Sequence, residues 1–324
     1  MIRTLALLFA ALGLVGATAA WADPDLVTPA KVLFGKPSLP SDQPTQAIGS
    51  YAKGCLAGGQ PLPLDGPHWQ VMRLSRNRNW GTPRLIDYLE RFSNDVATLD
   101  GWPGLLIGDM AQPRGGPMLT GHASHQIGLD VDIWFVPMPS RKLTPNERET
   151  IPAISLLMTG RLSVDPAKWS DQYLALLKRA ASYPEVARIF ISPAIKKQLC
   201  DTAGNDRKWL AKLRPWWGHQ DHFHVRLECP PGMASCVGQA PVGKDDGCGA
   251  DLAYWLKPPP PPPPAPKTPP KPVKPPPPLT LAGLPKACTD VLYAKDASVR
   301  ADNAGGDAVG KLIGRGETGA TITK

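Results

Sequence analysis

An α+β fold built on a small, mostly antiparallel sheet with flanking helices is predicted by three observations. Two short segments, residues 129–135 and 222–227, alternate apolar and polar side chains. Two others, residues 85–99 and the stretch after Ser170, repeat apolar residues at helical spacing. Strands and helices also fail to alternate strictly along the chain, as a fully parallel sheet would require.

Each element has a local cause. Thr82 followed by Pro83 reads as a cap and first-turn proline, and Leu85, Ile86, Leu89, Phe92, Val96 and Leu99 then mark one helical face. Residues 105–108 read as a short strand. In Leu129-Asp-Val-Asp-Ile-Trp-Phe135 the residues Leu129, Val131, Ile133 and Phe135 share a core face, with Asp130, Asp132 and Trp134 on the other. A second helix starts after Ser170 and carries Tyr173, Leu174, Leu176 and Leu177, and residues 186–192 form a strand. In the last alternating segment Phe223, Val225 and Leu227 face inward, while His222, His224 and Arg226 share the opposite face.

The chain ends are different in kind. Residues 1–22 combine one positive charge at Arg3, an apolar run and a small-x-small site at Ala20-Trp21-Ala22, the pattern of a cleaved secretory signal peptide. Their apolar core is shorter than the roughly 20 residues that span a bilayer, so the expectation is an exported protein that is not membrane-embedded. Ordinary globular composition extends to residue 257, giving one expected compact domain over 23–257. Fifteen of the 21 residues in 258–278 are proline. They form a semi-rigid linker or strap that would reach ~65 Å if extended at ~3.1 Å per residue. Residues 279–324 are expected to be a tail anchored near Cys288 and otherwise disordered.

Six cysteines, Cys55, Cys200, Cys229, Cys236, Cys248 and Cys288, read as a disulfide set in an exported chain. They allow 15 connectivities, and spacing selects none. The 36 Lys and Arg against 28 Asp and Glu give a formal net charge of +8, suited to an anionic partner such as cell-wall polymer. No basic, aromatic-interleaved motif points to nucleic acid.

Five of the six histidines fall in two clusters. These are His122 and His125 in Gly121-His-Ala-Ser-His-Gln-Ile-Gly-Leu-Asp-Val-Asp132, and His219, His222 and His224 in Trp217-Gly-His-Gln-Asp-His-Phe-His224. Imidazoles and a carboxylate converging from separate segments are the ligand set of a catalytic zinc, which takes three protein ligands and leaves one position for water. His125, Asp132 and His224 form the natural trio. His222 then stands beside the reacting atoms as general base or oxyanion polariser, with His122 and His219 as supporting or substrate-facing groups. Asp130 reads as a hydrogen-bonded strand residue, Arg114 as a solvated loop arginine or a binder of substrate carboxylate, and Trp216 and Trp217 as packing or one wall of a cleft. His68 is assigned no role.

Rival chemistries are weaker. His219-Gln-Asp-His222 lacks the glutamate of His-Glu-x-x-His. Ser50-Tyr-Ala-Lys53 matches Ser-x-x-Lys without its companion motifs, and neither Gly-x-Ser-x-Gly nor a Walker loop is present.

The spacing of His125 and Asp132, together with His222-x-His224, resembles the LAS metallopeptidases, the group of lysostaphin, the D-Ala-D-Ala metallopeptidases and sonic hedgehog. Longer strings resemble the penicillin-insensitive murein endopeptidases: Met72-Arg-Leu-Ser-Arg-Asn-Arg-Asn-Trp80, Ile107-Gly-Asp-Met110, the two histidine strings and Asn205-Asp-Arg-Lys-Trp-Leu210. The resemblance runs roughly over residues 51–288. It implies zinc-dependent, penicillin-insensitive hydrolysis of the D-alanyl-meso-diaminopimelyl crosslink in peptidoglycan stem peptides, in the periplasm and alongside other cell-wall hydrolases. It places His125, Asp132 and His224 as ligands, His222 at the catalytic position, and His122 and His219 near the metal. It also implies Cys55 paired with Cys288, Cys200 with Cys248, and Cys229 with Cys236. The proline run and the tail fall outside the family pattern, and no further metal-binding segment matches between Trp134 and Trp169, which leaves a second ion unassigned. Two alternatives stand beside the endopeptidase: a D,D-carboxypeptidase acting on uncrosslinked stems, and a noncatalytic, zinc-stabilised wall-binding module. The sequence leaves the oligomeric state open.

Overall fold

The computed structural model describes residues 24–160, 162–257 and 277–298. The expected signal peptide, most of the proline run and residues 299–324 lie outside the described residues. In chain order the elements are α1 (Pro24–Val27), α2 (Ala30–Phe34), β1 (Gln46–Ser50), β2 (Lys53–Ala57), β3 (Gln60–Pro61), β4 (Asp65–Gly66), β5 (Trp69–Val71) and β6 (Trp80–Gly81). There follow α3 (Pro83–Leu99), β7 (Leu105–Ile107), β8 (Asp130–Trp134), α4 (Pro145–Thr150), α5 (Asp171–Ser182), β9 (Val186–Ile191), α6 (Pro193–Thr202), β10 (Leu213–Pro215), β11 (His222–Leu227), α7 (Ala250–Trp255) and α8 (Ala287–Tyr293). Among the described residues no helix is long and apolar enough to cross a membrane.

Seven strands make the main sheet in the order β10-β9-β11-β8-β7-β5-β4. It is antiparallel except where β10 meets β9 and β5 meets β7. Each parallel pair includes a strand of only three residues, too short to carry a readable alternation. The centre of the sheet is β8 against β11, in the register His222 to Trp134, His224 to Asp132 and Arg226 to Asp130. Directly opposed residues stand about 4.5–5.5 Å apart on one face. This register therefore brings the polar residues of both strands together in pairs.

The other face is the core. Val131, Ile133, Phe223, Val225 and Leu227 are fully buried there with Leu85, Tyr88, Leu89, Phe92 and Val96 of α3 and Leu176, Leu177 and Ala180 of α5. Phe92 meets Phe223 edge-on at 6.5 Å between centroids. Both helices begin where the sequence places them. Thr82 caps α3 through its backbone carbonyl, which accepts from Leu85 and Ile86; its hydroxyl makes no capping bond. Leu99, expected on the core face, is exposed at the end of α3.

A second, smaller core joins the two ends of the described chain. Leu33 and Phe34 of α2, Ile48, Cys55, Leu281, Leu284, Cys288, Val291 and Leu292 pack together. The disulfides are Cys55–Cys288, Cys200–Cys248 and Cys229–Cys236, the pairs the resemblance implies. Past Cys288 the chain continues through α8 to Tyr293, and Asp42 N–H donates to Lys295 O at 2.8 Å.

Lys196 of α6 is fully buried. Its ammonium donates to Leu210 O at 2.6 Å and Asp246 O at 2.5 Å. Burial pushes its pKa down to about 7; the Asp246 and Asp245 charges oppose the shift and Arg214 and Arg207 add to it. A folded-state value of about 7 against 10.5 means that the unfolded chain binds the extra proton between these limits, so this residue's contribution to stability improves as pH rises through that window. Wild type should therefore gain stability relative to Lys196→Met from pH 7 to 10, with a constant difference below pH 7. Parallel melting-temperature curves for the two proteins from pH 6 to 10 would count against it.

Candidate metal centre

Asp132 is the hub of the polar face. Its Oδ1 lies 3.4 Å from His125 Nε2 and 3.5 Å from His224 Nδ1. Its Oδ2 lies 3.3 Å from His122 Nε2 and 3.8 Å from His222 Nε2. The rings of His122 and His125 are 4.3 Å apart, and those of His125 and His224 are 4.4 Å apart. His219 stands further out, 5.0 Å from His222 and 5.9 Å from His224 between centroids, with Nδ1 3.0 Å from Trp217 O. The chain thus brings both clusters to one point.

Local structure explains how. Asp132 and His224 face each other across the central strand pair. His125 precedes β8 in a left-handed conformation, φ 65°, unusual for a residue with a Cβ and costly by about 1–3 kcal/mol. Its N–H donates to Asp130 Oδ2 at 3.0 Å, which offsets part of that strain and turns the ring toward Asp132. Asp130 is itself gripped by Arg226, Nε to Oδ1 at 2.7 Å and Nη2 to Oδ2 at 3.1 Å. The Arg226 guanidinium lies over the rings of Tyr51 and Phe190, 4.1 Å and 5.0 Å from their centroids. Asp130 is thus a hydrogen-bonded strand residue whose work is to hold the His125 turn.

The electrostatics suit a cation. Burial would raise the Asp132 pKa, but the surrounding imidazoles, His125 foremost, hold it well below the usual carboxylate range. Burial pushes His224 down to about 3, against the opposing pull of Asp130, so its imidazole is neutral at physiological pH, the form that binds metal. Burial lowers His219 to about 4, and His222 adds to that shift. For His222 burial also acts downward, but the Asp132 charge and a 2.6 Å contact between Nδ1 and Asp221 Oδ1 outweigh it and raise the pKa.

The donor atoms fit a metal on two counts. His125 Nδ1 and Nε2 and Asp132 Oδ1 are buried without a hydrogen-bond partner, a state that costs about 1–3 kcal/mol per group. His224 Nε2 is 3.0 Å from Asp130 Oδ1 but out of line for a hydrogen bond. Second, ligands held tetrahedrally at about 2.0–2.2 Å stand about 3.3–3.5 Å from one another, the separations of Asp132 Oδ1 from His125 and His224. His122, His125 and Asp132 also converge, with donor atoms all within 4.8 Å. His122 Nε2, however, is already 3.0 Å from Asp109 Oδ2. Among the described residues His122, His125 and Asp132 are the one group of three whose donor atoms all lie within 4.8 Å of one another; His224 joins it through the 3.5 Å approach of its Nδ1 to Asp132 Oδ1.

Some expectations need correction and some groups are new. Arg114 is neither solvated nor aimed at the site: it is 3% exposed and binds Leu39 O, Val291 O, Leu292 O and Asp296. Trp216 and Trp217 are half exposed and meet Trp255 at 5.6 Å and 5.9 Å, forming an aromatic edge beside β10. Sequence reasoning singled out neither Asp109, whose Oδ2 accepts from His122, Arg76 and Arg78, nor Asp221. Asp109 stands in the quoted string Ile107-Gly-Asp-Met110, but a lone carboxylate after a strand carries no pattern.

The family profile described as penicillin-insensitive murein endopeptidase matches residues 47–293. Proteins of that name from Haemophilus influenzae, Klebsiella pneumoniae and Yersinia pestis are similar to this chain. The first is 48% identical over 227 residues, covering 69% of this chain and 78% of the relative. The second is 47% identical over 214 residues, 66% and 77% of the two chains, and the third 46% identical over 223 residues, 69% and 80%. With the match running from β1 through the candidate metal centre to α8, the chain belongs to the penicillin-insensitive murein endopeptidase family.

Proposed function

We propose that the protein is a zinc-dependent murein D,D-endopeptidase that hydrolyses the D-alanyl-meso-diaminopimelyl crosslink in the periplasm, with His125, Asp132 and His224 as ligands. The observation that carries the zinc reading is the unpartnered, buried Asp132 Oδ1, 3.4 Å from the equally unpartnered His125 Nε2 and 3.5 Å from His224 Nδ1. His224 is preferred to His122 as third ligand because Asp109 already engages His122 Nε2. Export rests on the signal-like residues 1–22, and the substrate reading on the names of the relatives.

When bound, zinc supplies Lewis acidity to the crosslink carbonyl and lowers the pKa of a coordinated water to about 7. The protein supplies position and a proton carrier. Asp221 holds His222 Nδ1 at 2.6 Å, which leaves Nε2 as the nitrogen that faces Asp132 and exchanges protons with the reacting amide. His219 lies along the same edge, and its lowered pKa keeps it neutral as a hydrogen-bonding group. No serine or cysteine nucleophile takes part, so β-lactams have nothing to acylate.

The test is digestion of a purified crosslinked muropeptide dimer by the mature protein, followed by mass spectrometry. Conversion to monomers that chelator abolishes, zinc restores and penicillin leaves untouched is expected. An intact dimer in the presence of zinc, with release of terminal D-alanine from uncrosslinked pentapeptide, would replace the endopeptidase by a carboxypeptidase. No cleavage of either substrate would leave a binding module.

A further inference from the structure

Residues 73–80 form a rigid loop beside the metal centre. Arg73 and Asn77, at φ 56° and 51°, bracket the 3-10 turn Leu74–Arg76 in left-handed conformations, which persist only where the surroundings enforce them. The Arg73 guanidinium donates to Arg148 O and Ile151 O at 2.8 Å and to Glu149 O, and it lies 5.0 Å from the Trp134 ring centroid. Asn77 donates to Ser38 O at 3.0 Å and accepts from Trp80 Nε1 at 2.8 Å. Arg78 donates to Asp109 at 2.7 Å and Thr120 O at 3.1 Å. Between these anchors Arg76 is presented differently. Its side chain is 46% exposed, and Nη1 donates to Asp109 Oδ2 at 3.0 Å.

Arg76 also lines a polar cavity of about 160 Å³ together with Lys36, Ser38, Ser75, Asn77 and Gln112. Two cationic residues, Lys36 and Arg76, belong to this lining, and no carboxylate does. The carboxylates that touch this loop are engaged elsewhere: Asp109 accepts from Arg76 Nη1, and Glu149 accepts from the Ser75 N–H at 2.8 Å and hydroxyl at 2.9 Å. Arg76 itself lies close to the candidate site. Asp109 Oδ2 alone separates Arg76 Nη1 from His122 Nε2, with 3.0 Å on either side, and His122 Nε2 is 3.3 Å from Asp132.

We propose that Arg76, assisted by Lys36, binds the α-carboxylate carried by the residue on the amine side of the scissile bond. The inference rests on the crosslink reading, in which that residue is diaminopimelate and its carboxylate shares one carbon with the scissile nitrogen. A planar guanidinium fixed at its back by Asp109 offers the fork geometry that a carboxylate accepts. Recognition of this group selects a D-centre carrying a free acid.

Two crosslinked dimers, with this carboxylate free or amidated, test the proposal on the mature protein. Wild type should favour the free acid by about 10–100-fold in kcat/KM, the range of a charged hydrogen-bonded pair, with the difference in KM. Arg76→Gln should bring the free dimer to the amidated level with bound zinc unchanged, Arg76→Lys should keep part of the preference, and Lys36→Gln should lower it less. Calorimetric binding of both dimers to zinc-free protein should give the same preference without turnover. If neither dimer is cleaved yet binding still prefers the acid in an Arg76-dependent way, the carboxylate site stands and the crosslink reading falls. Equal preference in wild type and Arg76→Gln, no preference in wild type, or a preference confined to kcat would overturn the proposal.

Discussion

Zinc and activity are expected to leave together when His125 or His224 is replaced by alanine, whereas His222→Ala should keep most of the metal and lose turnover. Three protein ligands are the minimum for a catalytic zinc. His125 is fully buried and His224 nearly so, and the nearest spare imidazole, His122, is engaged by Asp109 at 3.0 Å. His222 is differently placed: it sits at the mouth of the site, tied to Asp221, and its Nε2 is 3.8 Å from Asp132 Oδ2. Loss of a general acid or base costs typically 10²–10⁴-fold in rate, so that range is expected for His222→Ala, and activity below detection for His125→Ala. Metal analysis of the purified variants beside muropeptide turnover separates the roles. An empty site in His222→Ala would make it a ligand, and a full site in His224→Ala would pass the third ligand position to His122, whose donor atom already converges with His125 and Asp132.

Much of this centre is legible in the sequence because strand geometry is local. A His-x-His pair in an alternating segment must place both rings on one face, and residues 129–135 do the same for Asp130 and Asp132. The pairing that sets His224 opposite Asp132 follows once the two alternating segments become neighbours, and burial of Val131, Ile133, Phe223 and Val225 leaves no freedom to slip by one residue. Groups brought in by distant contacts were not legible. Asp109 meets arginines from residues 76 and 78 and a histidine from residue 122, three partners that no spacing announces. The parallel pairs of the sheet stayed hidden for a related reason: a three-residue strand has no period. His125 shows where local rules mislead. A non-glycine residue in a left-handed turn contradicts propensity, and only the Asp130 and Arg226 pair beneath it makes the conformation understandable.

Arg114→Met is expected to destabilise the protein strongly while leaving the KM for crosslinked muropeptide unchanged below the melting range. The arginine joins the loop before the candidate metal centre to the end of α8. Its Nη1 donates to Val291 O at 2.8 Å and Leu292 O at 2.6 Å, and Nη2 pairs with Asp296 at 2.9 Å. Burial lowers its pKa, and the charge and hydrogen bond of Asp296 oppose the shift. Methionine fills similar space but leaves the last carbonyls of α8 without this donor. Removing one partner of a buried ionic network costs about 3–5 kcal/mol, and at roughly 2–4 °C per kcal/mol for a domain of this size the melting temperature should fall by about 6–20 °C. The Cys55–Cys288 disulfide, which closes a separation of 233 residues, should keep α8 tethered in the variant. A combined loss of Arg114 and this disulfide should therefore exceed the sum of the single losses, because each holds the same segment while the other is absent. A rise in KM with little change in melting temperature would return Arg114 to the substrate, and additive losses would mean that α8 docks through its apolar contacts with Phe34, Ile48 and Leu284 alone.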